Sequence, residues 1–176
     1  ENQGSVDEKI RNEFYEISPN NSLVTFVHNI NTLSINTDGI GINDIDGGNF
    51  IDLTFDLTGY TFNSFVAFEF SPDSNYVYYV TSSFNGAFEF NSYSASVDGV
   101  TLTKLTNGSA GSIPVFLPNS SKIIYYDDLD LDGDHELFSI NPDGTGKTNL
   151  GFDSVTGSND LYVEVLDRTP YRLIIR

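Results

Sequence analysis

The stretch FEFSPDSNYVYYV, Phe68 to Val80, sets two aromatic and β-branched runs on either side of a Ser-Pro-Asp-Ser-Asn segment. Pro fixes φ near −65° and has no N–H to donate, so it starts a turn, and Asp and Asn hydrogen-bond their own backbone there. Phe, Tyr and Val pack well on a pleated surface, so the reading is strand, tight turn, strand. The form recurs as YEISPNNSLVTFV (Tyr15 to Val27) and PVFLPNSSKIIYY (Pro114 to Tyr126), with a weaker copy, VEVLDRTPYRLII, at Val163 to Ile175. Pro19, Pro72 and Pro118 lie about 50 residues apart, near the period of a four-stranded propeller blade.

A second element alternates with the first. SINTDGIGINDI from Ser34, SASVDGVTLTKL from Ser94 and SINPDGTGKTNL from Ser139 each put Asp-Gly between short alternating apolar stretches, a strong hairpin signal. Each unit therefore reads as strand, Pro turn, strand, loop, strand, Asp-Gly turn, strand. The expected fold is all-β, with antiparallel four-stranded blades of a β-propeller and about three and a half blades present. A β-sandwich is the alternative, since the same patterning serves both. The expected blades span 15–58, 62–107, 111–151 and, in part, 158–176. Residues 1–14 are a tail or short helix, where Ser5-Val6-Asp7-Glu8 has the form of a capping box.

Composition narrows the function. With 39% apolar residues in 176, the chain can bury one core, and no apolar run reaches the roughly 18 residues of a membrane span. Eight Lys+Arg against 25 Asp+Glu give a net charge of −17, which disfavours nucleic acid and anionic membrane as partners. The same charge suits solubility in a salty or extracytoplasmic setting. Zero Cys excludes disulfides, thiolate zinc sites and cysteine nucleophiles, and zero Met leads us to expect a processed chain or a piece of a longer one.

The segments SPDSNYVYYV and FEFNSYSASVDGVTLTKLT (71–80, 88–106), followed by LPNSSKIIYYDDLDLDGDHELFSINPDGTGKTNLG (117–151), resemble the TolB-type β-propeller repeat. The resemblance covers about residues 15–175 and is clearest from Phe68 to Gly151. It implies a radial array of four-stranded blades, in a family whose members are mostly extracytoplasmic scaffolds that bind other proteins, some fused to peptidase or lyase activities. The first copy departs from the pattern: DGGNFIDLTFDLTGYTF (Asp46 to Phe62) lengthens it after its Asp-Gly. Because a closed propeller has roughly four to eight blades, three and a half leave faces exposed. A fragment of a longer chain, two chains sharing one ring, and an open stack covered by a partner are the three explanations. Self-association to close the ring is therefore among the expected contacts.

One motif points to a cation. YYDDLDLDGDHELF (Tyr125 to Phe138) carries six acidic residues, and Asp128, Asp130, Asp132 and Gly133 spell D-x-D-x-D-G, with Asp134 next. Alternate carboxylates on a Gly-turned loop supply the hard oxygens that calcium takes. An EF-hand is excluded, because the twelfth position from Asp128 is Ser139 rather than a bidentate Glu. The expectation is a helix-free calcium loop with Asp128, Asp130, Asp132 and Asp134 as ligands. The plain alternative is a hairpin tip between the middle strands of the third blade.

Catalytic signals are sparse. There is no Gly-x-Ser-x-Gly elbow, Walker loop or dinucleotide fingerprint, and the two histidines, His28 and His135, read as a strand-end and a turn residue. Tyr60, Tyr93 and Tyr162 are placed at loops or strand ends, where they could meet a partner. Arg168, Arg172 and Arg176 share one strand face as an acid-binding or solvated edge. The expected function is a non-enzymatic extracytoplasmic module that binds a protein partner. The alternative is an accessory propeller fragment of a secreted peptidase or polysaccharide lyase.

Overall fold

A computed structural model describes residues 15–32, 35–54, 62–84, 88–106, 114–119, 121–129, 135–153, 163–165 and 173–175. Tyr15–Ile17 (β1), Leu23–Thr32 (β2), Ile35–Asp44 (β3) and Ile51–Asp52 (β4) form one antiparallel sheet in that order. Phe62–Phe70 (β5), Tyr76–Phe84 (β6), Phe88–Ser96 (β7) and Leu102–Lys104 (β8) form the second. Val115–Phe116 (β9), Ile123–Asp127 (β10), Glu136–Ile140 (β11) and Thr148–Asp153 (β12) form the third. Val163–Val165 (β13) pairs with Leu173–Ile175 (β14). Each sheet is an unbroken meander completed before the next begins. A sandwich would instead pass strands between two facing sheets, so these are propeller-type blades.

The Pro repeat builds the same tip in the first two blades. Ser18 and Ser71 each close the turn through their backbone, Ser18 N–H to Leu23 C=O at 3.0 Å and Ser71 N–H to Tyr76 C=O at 2.8 Å. Their hydroxyls then accept further turn N–H groups, those of Leu23 and Tyr76 at 2.9 Å each. Asn21 and Ser74 take positive φ at equivalent places. The two tips touch, with Asn20 N–H donating to Ser74 Oγ at 3.1 Å.

The Asp-Gly turns hold in two of the three copies. Gly99 and Gly144 adopt φ of 72° and 87° at the β7–β8 and β11–β12 tips, closed by Gly99 N–H to Ser96 C=O and Gly144 N–H to Asn141 C=O, both 2.9 Å. Asp38-Gly39 is not a turn: it lies inside β3, opposite Asn29 and His28 of β2. β2 runs ten residues, so pairing carries on past this dipeptide. The turn moves to Asp44–Gly48, where Gly47 takes φ of 90° and its N–H reaches Asp44 C=O at 2.9 Å.

Alternation gives each sheet two packing faces. Val27, Ile40, Ile42 and Leu53 of the first blade meet Phe70, Val77, Tyr79, Tyr93 and Ala95 of the second in one buried cluster. On the other face of the second blade, Tyr78 and Leu105 join Phe116, Ile123, Tyr125, Phe138 and Ile140 of the third. The blades thus stack in chain order, the first joint setting an aliphatic face against a tyrosine-rich one and the second bringing aromatic residues from both sides.

Candidate functional site

Antiparallel pairing puts the β1–β2, β3–β4, β5–β6 and β7–β8 tips at one end of the blades. Between the first two blades at that end lies a cleft of about 480 Å³ lined by Leu23, Ile42, Asp44, Asn49, Phe50, Ile51, Val97 and Asp98. Its walls are mainly apolar, and its carboxylates are fixed by the turns that carry them. Asp44 Oδ2 accepts from Asn49 Nδ2 at 2.6 Å. Asp98 Oδ1 accepts from Ser96 Oγ at 2.5 Å and from Val100 N–H at 3.0 Å. Those bonds, Ser96 first, hold Asp98 below the ordinary carboxylate range, so it is ionised at neutral pH. Gly99 lets this turn close on the wall: a Cβ there would stand 2.7 Å from Ile51 Cγ2. An apolar slot with fixed anions at its rim suits a cation on an apolar stem, such as a Lys or Arg side chain.

A second acidic feature joins the first strands of two blades. Phe70 N–H donates to Glu16 Oε2 at 2.9 Å, and the buried Tyr78 hydroxyl donates to Glu69 Oε2 at 3.0 Å. Burial pushes the Glu16 carboxyl up to about 7; the nearby Glu69 charge adds to this and the Phe70 N–H opposes it. Glu16 and Glu69 occupy the same place in the repeat, each two residues before the Ser-Pro pair.

The acidic stretch sits at the opposite end. Asp127 and Glu136 pair at the last rung of β10 and β11, so residues 128–135 form the loop between the middle strands of the third blade. Asp127, Asp128 and Glu136 are buried at its base. Glu136 Oε2 accepts the Leu129 N–H at 3.2 Å. Lys147 Nζ is 3.9 Å from Asp127 Oδ2 and 4.2 Å from the centre of the Phe138 ring. Among the described residues no three acidic or histidine side chains converge as a metal group. Asp130, Asp132 and Asp134 lie outside the described residues.

The other singled-out residues resolve differently. His28 is not at a strand end but within β2, with Nε2 3.6 Å from Asp52 Oδ1. Burial works against the Asp52 charge, yet the His28 imidazole and the Thr54 hydroxyl and N–H outweigh it and leave the carboxyl below its ordinary value. His135 packs edge-on against the Tyr126 ring at 5.3 Å. Tyr93 is no surface aromatic: it is buried in the interblade core, stacked on Tyr79 at 5.3 Å. It alternates with buried Asn91 and Ala95, and that face is covered by the first blade. Tyr60, Tyr162, Arg168, Arg172 and Arg176 lie outside the described residues. The cleft was missed in the sequence because its parts are turn residues of two different repeats. Phe50 in an otherwise polar turn was the available signal.

No protein-family model and no curated protein matches the chain. Similar solved structures include a putative TolB from Agrobacterium tumefaciens, at 22% identity and TM-score 0.43, covering 82% of this chain and 50% of that one. The β-propeller domain of the Trilobed protease from Pyrococcus furiosus is similar at 12% identity and TM-score 0.47, covering 88% and 50%. An oligogalacturonate lyase in complex with manganese is similar at 20% identity and TM-score 0.43, covering 73% and 33%. This chain therefore spans half or less of each of these structures. The propeller reading of the repeats rests on the three four-stranded meander sheets themselves.

Proposed function

We propose that the chain is a non-catalytic, extracytoplasmic binding module that takes a protein partner through the cleft between its first two blades. The observation that carries this is the pairing of apolar walls, Leu23, Ile42, Phe50, Ile51 and Val97, with the rim anions Asp44 and Asp98. A net charge of −17 draws positively charged segments toward the surface, and the cleft selects those with an apolar stem. Among the described residues no helix is long and apolar enough to cross a membrane. Calorimetric titration with a capped Leu-Lys-Phe tripeptide tests the reading. Binding is expected, weakening about tenfold in Asp44→Asn combined with Asp98→Asn, and absent for Leu-Glu-Phe. Equal heats for the Lys and Glu peptides would remove the proposal.

The acidic loop is proposed to hold calcium as a structural ion. The donor set is hard oxygen, and buried Asp127, Asp128 and Glu136 already crowd negative charge at its base. A ligand that binds only the folded chain adds about 2.7 kcal/mol at a hundred times its dissociation constant. Millimolar calcium is thus expected to raise Tm by about 5–10 °C over chelator, with Asp130→Asn plus Asp132→Asn abolishing the difference. Identical melts with calcium and chelator would leave the loop as a plain hairpin tip.

A further inference from the structure

The two interblade joints follow one plan but are filled differently. Leu23 and Tyr76 each come directly after a Ser-Pro tip, their N–H groups donating to Ser18 Oγ and Ser71 Oγ at 2.9 Å. Both side chains face the next blade: Leu23 packs on the cluster of the first joint and Tyr76 on that of the second. In each case the next blade brings up an Asp-Gly tip whose glycine lies on the same wall. A Cβ on Gly99 would stand 2.7 Å from Ile51 Cγ2, and one on Gly144 would stand 2.8 Å from Thr103 Cγ2. Asp98 and Asp143, each just before its glycine, therefore hold equivalent places at the two joints.

At the second joint the chain fills the place itself. Tyr76 is partly buried there. Burial, and then the charges of Asp143, Asp73 and Asp98, raise its phenol above the ordinary value, so the hydroxyl is a neutral donor with three carboxylates near it. Ser94 ties the same joint, its Oγ donating to the Pro142 carbonyl at 2.9 Å. The first joint has neither device. Leu23 stands where Tyr76 does, and Ile42, which pairs with Thr25 as Ser94 pairs with Tyr78, has no hydroxyl to offer Val97. Leu23, Ile42 and Val97 instead line the cleft of about 480 Å³, with Asp98 at its rim.

We propose that this cleft takes a tyrosine side chain from a basic segment of a protein partner, ring on the Leu23–Ile42–Val97 wall and hydroxyl toward Asp98. The proposal rests on the cleft reading given above and names the residue that enters. Its precedent is the chain's own second joint, where a tyrosine lies on an apolar wall among carboxylates. Complementarity agrees: a neutral phenol donates to a fixed carboxylate without bringing a second charge into the slot, and a flanking Lys meets Asp44 at the rim. Phenylalanine fits the same wall but leaves Asp98 without that donor.

Calorimetric titration with capped Leu-Lys-Tyr beside Leu-Lys-Phe isolates the hydroxyl. The Tyr peptide is expected to bind about tenfold more tightly. Asp98→Asn keeps an acceptor but loses the charge, so it should cut that advantage to about threefold. Leu23→Tyr supplies the phenol from within, as Tyr76 does at the second joint, and is expected to abolish binding of both peptides while the circular dichroism spectrum stays that of the parent. Equal affinities for the two peptides would overturn this proposal and leave the cleft reading standing, whereas no heat from either would remove both. An unchanged Tyr-to-Phe ratio in Asp98→Asn, or undiminished binding to folded Leu23→Tyr, would also overturn it. If Leu23→Tyr fails to fold, the two peptides on the unmodified chain decide.

Discussion

Tyr79→Ala is expected to lower the unfolding free energy by about 3–5 kcal/mol, the cost of emptying a buried aromatic site that cannot collapse. Tyr79 is fully buried between the first two blades and stacks on Tyr93 with an interplanar angle of 21°. Its hydroxyl donates to the Leu53 carbonyl at 3.0 Å, tying the second blade to the last strand region of the first. Burial keeps that hydroxyl protonated far above its ordinary pKa, so it remains a donor across the accessible pH range. Tyr79→Phe keeps the ring and loses the bond, and about 1–2 kcal/mol is expected. Urea unfolding monitored by tyrosine fluorescence measures both. If Tyr79→Ala changed stability by less than about 1 kcal/mol, the first two blades would not share the core described.

Glu16→Gln is expected to stabilise the protein at pH 8 and to do nothing at pH 4. The folded carboxyl binds its proton more tightly than the ordinary one, with pKa about 7 against 4.5. Its favourable contribution is therefore complete below about pH 4.5 and is lost as pH rises through about 7. Above that, the folded chain holds an anion that burial and Glu69 disfavour. The shift corresponds to about 3 kcal/mol as a ceiling. The site is only partly buried, so about 1–3 kcal/mol is the expected gain. Glutamine keeps an oxygen to accept the Phe70 N–H, so the substitution isolates the charge. Stability curves at pH 4, 6, 7 and 8 are the measurement. Parallel curves for parent and variant would show that Glu16 titrates normally.

How far the sequence disclosed this follows from where its signals are local. The Ser-Pro turns were legible because Ser18 and Ser71 close them with their own hydroxyls and backbone, within five residues. Gly99 and Gly144 were legible for the same reason, since a positive φ is a single-residue property. Asp38-Gly39 misled because the long β2–β3 pairing runs through the dipeptide despite its poor strand propensity, and only that register decides. Tyr93 misled because its neighbours Ser92 and Ser94 read as surface, whereas those serines are buried too, Ser94 Oγ donating to the Pro142 carbonyl of the third blade at 2.9 Å. The cleft left only Phe50 as a trace in the sequence: Asp44 and Asp98 lie in different repeats and meet only when the blades stack.

The functional account rests on that cleft, and mapping of the Lys peptide by two-dimensional amide NMR tests it most directly. Leu-Lys-Phe, titrated into the ¹⁵N-labelled chain, is expected to shift the amides of Asp44, Asn49, Ile51, Val97 and Asp98 and to leave those of the third blade in place. Shifts confined to the third blade, or the same shifts with Leu-Glu-Phe, would contradict it.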